Sequence, residues 1–133
     1  MAKVTVLRGV SEEYAQRLEA AGVRSVAELL RACARRKDRE RLAGQCGIPG
    51  ALLLKWTHYA DLMRIRGVGG EYAELLAAAA VESVPELARR SPEQLTARLE
   101  AVNAEHDLVR RVPVLLQVRS WVRQAGELPR AVE

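Results

Sequence analysis

The chain reads as all-α, with two pseudo-repeated helical units sharing one core and about eight helices in all. Three observations predict this. Sliding the sequence by 58 residues lays Leu7 to Leu29 on Ile65 to Leu87 without a gap. Gly9 then meets Gly67, Val10 meets Val68, Tyr14 meets Tyr72, Leu18 meets Leu76, Val23 meets Val81, and Ser25 and Glu28 meet Ser83 and Glu86. A repeat of this size is one supersecondary unit that cannot bury its apolar face alone, so the two copies are expected to share a core. Second, helix start and stop signals recur along the chain. Third, only Lys3 to Leu7 alternates like a strand, and one short segment has nothing to pair with.

Taken in order, Ser11 precedes a run of 3.6-residue period, Tyr14, Ala15, Leu18 and Ala21, and Gly22 supplies a left-handed C-cap. Ser25 and Glu28 form a capping box that opens a helix with Leu29, Leu30 and Cys33 inward, and Ser83 with Glu86 repeats it. Asp38 is expected to cap a short helix through Leu42 and Cys46, closed by Gly47. Pro49 opens a longer helix carrying Leu52, Leu53, Trp56, Tyr59 and Leu62. Ser91, Pro92 and Gln94 start a helix with Leu95 and Leu99, and Pro113 precedes the last one, with Leu116, Val118, Trp121 and Val122. Trp56 and Trp121 echo each other at an offset of 65, so these two and the paired tyrosines Tyr14 and Tyr72 are expected in core packing.

Length suits a single domain over 1–133, with repeat one at about 5–60, repeat two at about 61–126 and a frayed tail over 127–133. Apolar residues are 49% and charged residues 29%, which places the chain with globular and not disordered sequences. It has no run long enough for a membrane span, and MAKVTVLRG lacks the apolar region of a signal peptide, so a cytoplasmic protein is expected. Cys33 and Cys46 are then reduced thiols, too few to close a zinc site. The net charge of +4 is uneven, with 11 Lys/Arg against 6 Asp/Glu over 1–60 and 10 against 11 over 61–133. Arg31, Arg35, Arg36, Lys37, Arg39 and Arg41 make a cluster diluted only by Asp38 and Glu40. Such a cluster attracts phosphate or an acidic protein, or is simply a solvated helix face.

The phrase from Ile65 to Leu76, with Gly67, Val68, Gly69 and Gly70 ahead of Tyr72 and Ala73, resembles the helix-hairpin-helix motif. Its glycines permit a tight turn and let amides at the next helix N-terminus hold an anion. Arg8, Gly9, Val10 and Ser11 keep the frame in the first copy, with Ser11 in place of the second glycine. Glu12, Glu13 and Glu71 stand where such hairpins commonly carry Lys or Arg; they favour the helix dipole but oppose phosphate, while Arg8 and Arg66 partly restore attraction. Ala80 stands where the first copy has Gly22, so either Ala adopts a left-handed conformation there or that helix ends differently.

Trp56, the run Ala60 to Leu76, Val84 to Ala88, Pro92, Leu95, Pro113 and Trp121 resemble the uncharacterised bacterial family known as domain of unknown function 4332. That resemblance implies an all-α tandem helix-hairpin-helix fold and no particular activity. No catalytic constellation is evident, so no enzyme, cofactor, metal or small-molecule substrate is expected. His58 near Asp61 reads as a polar helix face, His106 with Glu105 and Asp107 as a solvated loop or helix start, and Asp61 with Arg64 is expected to fix the junction between copies. Two functions remain open. One is sequence-independent binding of DNA or another nucleic acid through hairpin amides (Arg8, Gly9, Val10, Ser11; Arg66, Gly67, Val68, Gly69, Gly70) and the Arg-rich patch. The other is a protein-interaction or self-assembly module in which the hairpins are structural.

Overall fold

A computed structural model describes residues 2–133. It is all-helical: α1 (Glu12–Ala20), α2 (Val26–Cys33), α3 (Arg36–Cys46), α4 (Gly50–Leu62), α5 (Gly70–Ala78), α6 (Val84–Ala88), α7 (Pro92–His106) and α8 (Leu115–Glu127). No strand occurs among the described residues. The alternating segment at the start winds instead into a 3-10 turn, Val4–Val6, anchored by an isolated bridge between Lys3 and Ser25. Two compact units divide the chain, one of residues up to Asp61 with Ala131–Glu133, the other Leu62–Arg130.

In the first unit Ser11 caps α1, its Oγ accepting the Tyr14 N–H at 3.2 Å. The helix stops in a Schellman turn: the Val23 and Gly22 amides donate to the Leu18 and Glu19 carbonyls, both at 2.9 Å, with Gly22 at φ 87°. Ser25 and Glu28 close both halves of the capping box of α2, at 3.1 and 3.0 Å. Val26, Leu29 and Cys33 then share its buried face. The N-cap of α3 is Arg35, and Asp38 sits inside the first turn, where its carboxylate takes Arg41 at 3.1 Å. Asp38 is therefore not the expected cap; two residues upstream the chain is already helical. Along α4, Leu53, Trp56, Thr57, Tyr59, Ala60, Asp61 and Leu62 are all buried.

The tail corrects a second expectation. Val132 is only 7% exposed, the Glu133 N–H donates to the Ala34 carbonyl at 2.8 Å, and Arg39 donates to the Glu133 main-chain oxygen at 3.1 Å. An apolar side chain with a seat and two main-chain hydrogen bonds does not fray, and the Ala34 carbonyl it satisfies is an orphan at the end of α2.

In the second unit α5 ends in the same Schellman geometry, with Val81 donating to Leu76 and Ala80 to Ala77, both at 2.9 Å. Ala80 takes the left-handed conformation itself, at φ 67°. The two carbonyls beside it are held by arginines, Ala79 by Arg98 Nε and Ala80 by Arg90 Nη2, each at 3.0 Å. Ser83 caps α6 and Ser91 caps α7, each accepting an amide three residues on at 3.3 Å. The C-cap of α7, Asp107, is also left-handed at φ 50°. Val118, Trp121 and Ala125 form the buried stripe of α8, which packs on α6 and α7 while α5 packs on α7. Leu116 lies off that stripe and is 76% exposed. Two residues before Val118 is a rotation of about 200°, so it points away from the core.

Candidate functional site

The two glycine turns are built alike, and the builder in each is a tryptophan. Gly9 has φ 92° and Gly67 φ 99°, a region that disfavours any Cβ. A Cβ on Gly9 would stand 3.3 Å from Trp56 Nε1, and one on Gly67 only 3.0 Å from Trp121 Nε1. Each indole also meets the tyrosine that opens the following helix. Tyr14 and Trp56 have ring centroids 5.4 Å apart, Tyr72 and Trp121 5.3 Å apart. Trp56 is fully buried and its Nε1 has no hydrogen-bond partner. Val10 and Val68 anchor the turns from below, both buried, their amides donating to Leu7 and Ile65. Gly9 and Gly67 thus serve packing first: the turn lies directly on an indole.

The turns differ in what surrounds the next helix. At the first, the Ser11 hydroxyl already occupies the Tyr14 amide, and Glu13 binds Arg17 at 2.7 Å. At the second, the N-cap is Gly69, which brings no side-chain oxygen to the first turn of α5. Arg66 is exposed, with its main chain clamped from α8: its N–H donates to Gln124 Oε1 at 2.9 Å, and Gln124 Nε2 donates to its carbonyl at 3.2 Å. The Tyr72 hydroxyl donates to the Arg111 carbonyl at 2.8 Å. That bond brings the exposed pair Arg110 and Arg111 beside the start of α5. Asn103 shapes the loop that carries them, its Oδ1 accepting the Leu108 and Val109 amides at 2.8 and 2.9 Å and its Nδ2 donating to Val109 at 3.0 Å. Sequence reasoning passed over Arg110, Arg111, Gln124 and Asn103. The signal available was a pair of adjacent arginines 39 residues from Tyr72, which carries no meaning until the chain is folded.

The Arg-rich patch is smaller than its sequence. Arg39 is 7% exposed and donates to the Cys33 carbonyl at 2.9 Å as well as to Glu133, so it is an internal strut and not part of a surface patch. Arg36 holds Glu40 and Arg41 holds Asp38, each at 3.1 Å. Arg31, Arg35 and Lys37 are exposed where α2 meets α3.

Both cysteines are free and buried. Burial pushes the Cys33 thiol up to about 11, with Thr57 and Arg39 opposing, and pushes Cys46 up against the pull of Arg17. Protonated thiols of this kind are poor nucleophiles. His58 is half-buried on α4, and His106 is exposed 4.0 Å from Glu105. No cluster of three or more His, Cys, Asp or Glu placed to hold a metal ion occurs among the described residues. No described helix is long and apolar enough to cross a membrane.

A family model described as Domain of unknown function (DUF4332) matches residues 8–128. The chain belongs to that family. The DUF4332 match takes in both glycine turns, both tryptophans, Gln124 and the Arg110–Arg111 loop, and stops short of the docked tail. No curated protein and no solved structure matches the chain.

Proposed function

We propose that this protein is a non-catalytic module that binds the phosphate backbone of nucleic acid without reading base sequence. In this reading the second glycine turn acts as a helix-hairpin-helix, and the exposed residues Arg31, Arg35 and Lys37 give a further backbone contact. The observation that carries it is the surrounding of α5's N-terminus: a glycine N-cap, exposed Arg66 on a clamped main chain, and the Arg110–Arg111 pair tied in through Tyr72. Amides at a helix start and nearby guanidinium groups together suit a phosphate. The first turn, self-capped by Ser11, is structural in this reading. Glu71 in the first turn of α5 works against phosphate and moderates affinity.

Titration of a labelled random-sequence duplex at low and near-physiological salt tests this. Binding should weaken steeply with salt, as counterions released by phosphate contacts dictate. Arg110→Glu with Arg111→Glu should weaken it at least about tenfold, and Glu71→Gln should strengthen it. Absence of binding at low salt would overturn the reading.

A second reading, a protein-interaction module with structural hairpins, is favoured by the exposed aliphatics Val114 and Leu116 at the start of α8, 58% and 76% exposed. Mass that rises with protein concentration would support its self-assembly form; a strictly monomeric chain would remove it.

A further inference from the structure

Among the described residues only three large aliphatic side chains are exposed, Val6, Val114 and Leu116, and two of them share the start of α8 in the second unit. The turn that presents this pair is rigid. Gln117 Oε1 accepts the Val114 N–H and the Val114 carbonyl accepts the Gln117 N–H, both at 3.0 Å. Pro113 before them and Val118 after them are buried. The surroundings are cationic. Val114 follows Arg111 by three residues, a chain reach of roughly 11 Å, or about three nucleotide steps of about 3.4 Å. Around α8, exposed Arg123 lies about 20° from Leu116 and roughly 10 Å along the axis. Gln124, which clamps Arg66, lies about 80° from Leu116 on the same helix. Of the acids on this side, Glu93 is held by Arg119 at 3.1 Å, and Glu127 shares the Leu116 stripe about three turns further on.

We propose that the second unit selects DNA whose base stack is interrupted, as at a gap, with Leu116, flanked by Val114, covering the base face laid open there. This inference rests on the backbone-binding reading above and names the substrate of that same site. The occupant of this patch must match both of its chemistries, arginines and a projecting aliphatic pair. A symmetric contact with a second copy would set Arg110 and Arg111 near their own counterparts, which like charge opposes. Nucleic acid brings phosphates for the arginines, and its one large apolar surface is the faces of the bases. In a regular duplex those faces are stacked, so Leu116 has nothing apolar to meet, and prying a step open costs free energy. At a gap the step is already unstacked, and an aliphatic side chain fixed on a rigid turn covers it without further ordering. Phosphate contacts then set affinity for any duplex, while Leu116 adds a preference for the damaged or incomplete one.

The probes are two fluorescein-labelled duplexes of the same sequence, one fully paired and one lacking two central nucleotides of one strand, titrated by anisotropy. The unaltered chain should bind the gapped duplex at least about tenfold more tightly than the paired one. Leu116→Ser alters an exposed side chain and should bring the two affinities within about twofold, by loss at the gapped duplex. Arg110→Glu with Arg111→Glu should weaken both duplexes alike. A 2-aminopurine beside the gap should brighten when the unaltered chain binds and not when Leu116→Ser does. Equal affinity of the unaltered chain for both duplexes would overturn the inference and leave backbone binding standing; no binding to either at low salt would overturn both. A preference that survives Leu116→Ser would assign it to the bendability of gapped DNA and overturn the role of the aliphatic pair. So would Leu116-dependent self-association, or Leu116-dependent binding to phosphatidylserine vesicles, in a chain that does not distinguish the duplexes.

Discussion

Gly67 and Trp121 illustrate how a residue's role depends on its neighbour. A glycine ahead of a helix suggests a tight turn and an exposed backbone ready for an anion, and both reasons can be read from the sequence. The indole 3.0 Å from where a Cβ would stand is a further and stricter reason. Gly67→Ala combines a left-handed penalty of roughly 1–2 kcal/mol with displacement of a buried ring, so urea denaturation should register a loss of at least about 2 kcal/mol. Gly9→Ala, with its 3.3 Å approach, should cost somewhat less. Ala80 is the reverse case. It holds a left-handed φ of 67° at the end of α5, as Gly22 does at the end of α1 with φ 87°, so Ala80→Gly should stabilise the protein by about 1 kcal/mol. A neutral or destabilising result would mean that the glycine's greater freedom in the unfolded chain outweighs the relief.

At the scale of elements, caps were the most legible feature. Ser11, Ser25, Ser83 and Ser91 each cap the helix that local spacing assigned to them, because a cap is a contact between residues three apart. The failures at this scale were Asp38, the Arg39 side chain and the tail, all decided by groups elsewhere in the chain. Arg39 lies in a run of charges that reads as solvated, yet its partners are main-chain oxygens at Cys33 and, 94 residues away, at Glu133. The clamp from α8 belongs here too. Gln124 satisfies both main-chain polar groups of Arg66, so Gln124→Ala should cost about 1–2 kcal/mol in denaturant. If the second turn binds phosphate, duplex affinity should fall with it, since the turn loses its support from one side. A change in stability without any change in affinity would assign Gln124 to folding alone.

For the whole molecule, the buried thiol gives a pH limit. In the unfolded chain Cys33 would ionise near 9, whereas burial holds its proton in the fold to about 11. The raised value means that the fold's advantage is complete below pH 9 and is lost as pH climbs toward 11, where the unfolded chain releases a proton that the fold retains. Denaturation midpoints should therefore be flat through neutral pH and fall across that alkaline window. Cys33→Ser or Cys33→Ala should remove this part of the fall, and an unchanged alkaline slope would assign it to other groups. Whole-molecule charge was a weaker guide. The basic surplus of residues 1–60 is real as a sum, but acids neutralise Arg36 and Arg41 locally and Arg39 is buried.

The sequence by itself determined the helical class, nearly every helix start, the family, and the positions of the glycine turns. These rest on periodicity, caps and turn chemistry acting over three or four residues, a range within which local order in the chain is order in space. Only the tertiary structure decided that tryptophans lie under the glycines, that Tyr72 gathers Arg110 and Arg111, that Arg39 turns inward, and that Val132 and Glu133 dock on the first unit. Each of these joins residues tens of positions apart. Such partners are chosen by which buried polar groups and apolar faces remain unsatisfied once the helices have formed, and no local pattern carries that information.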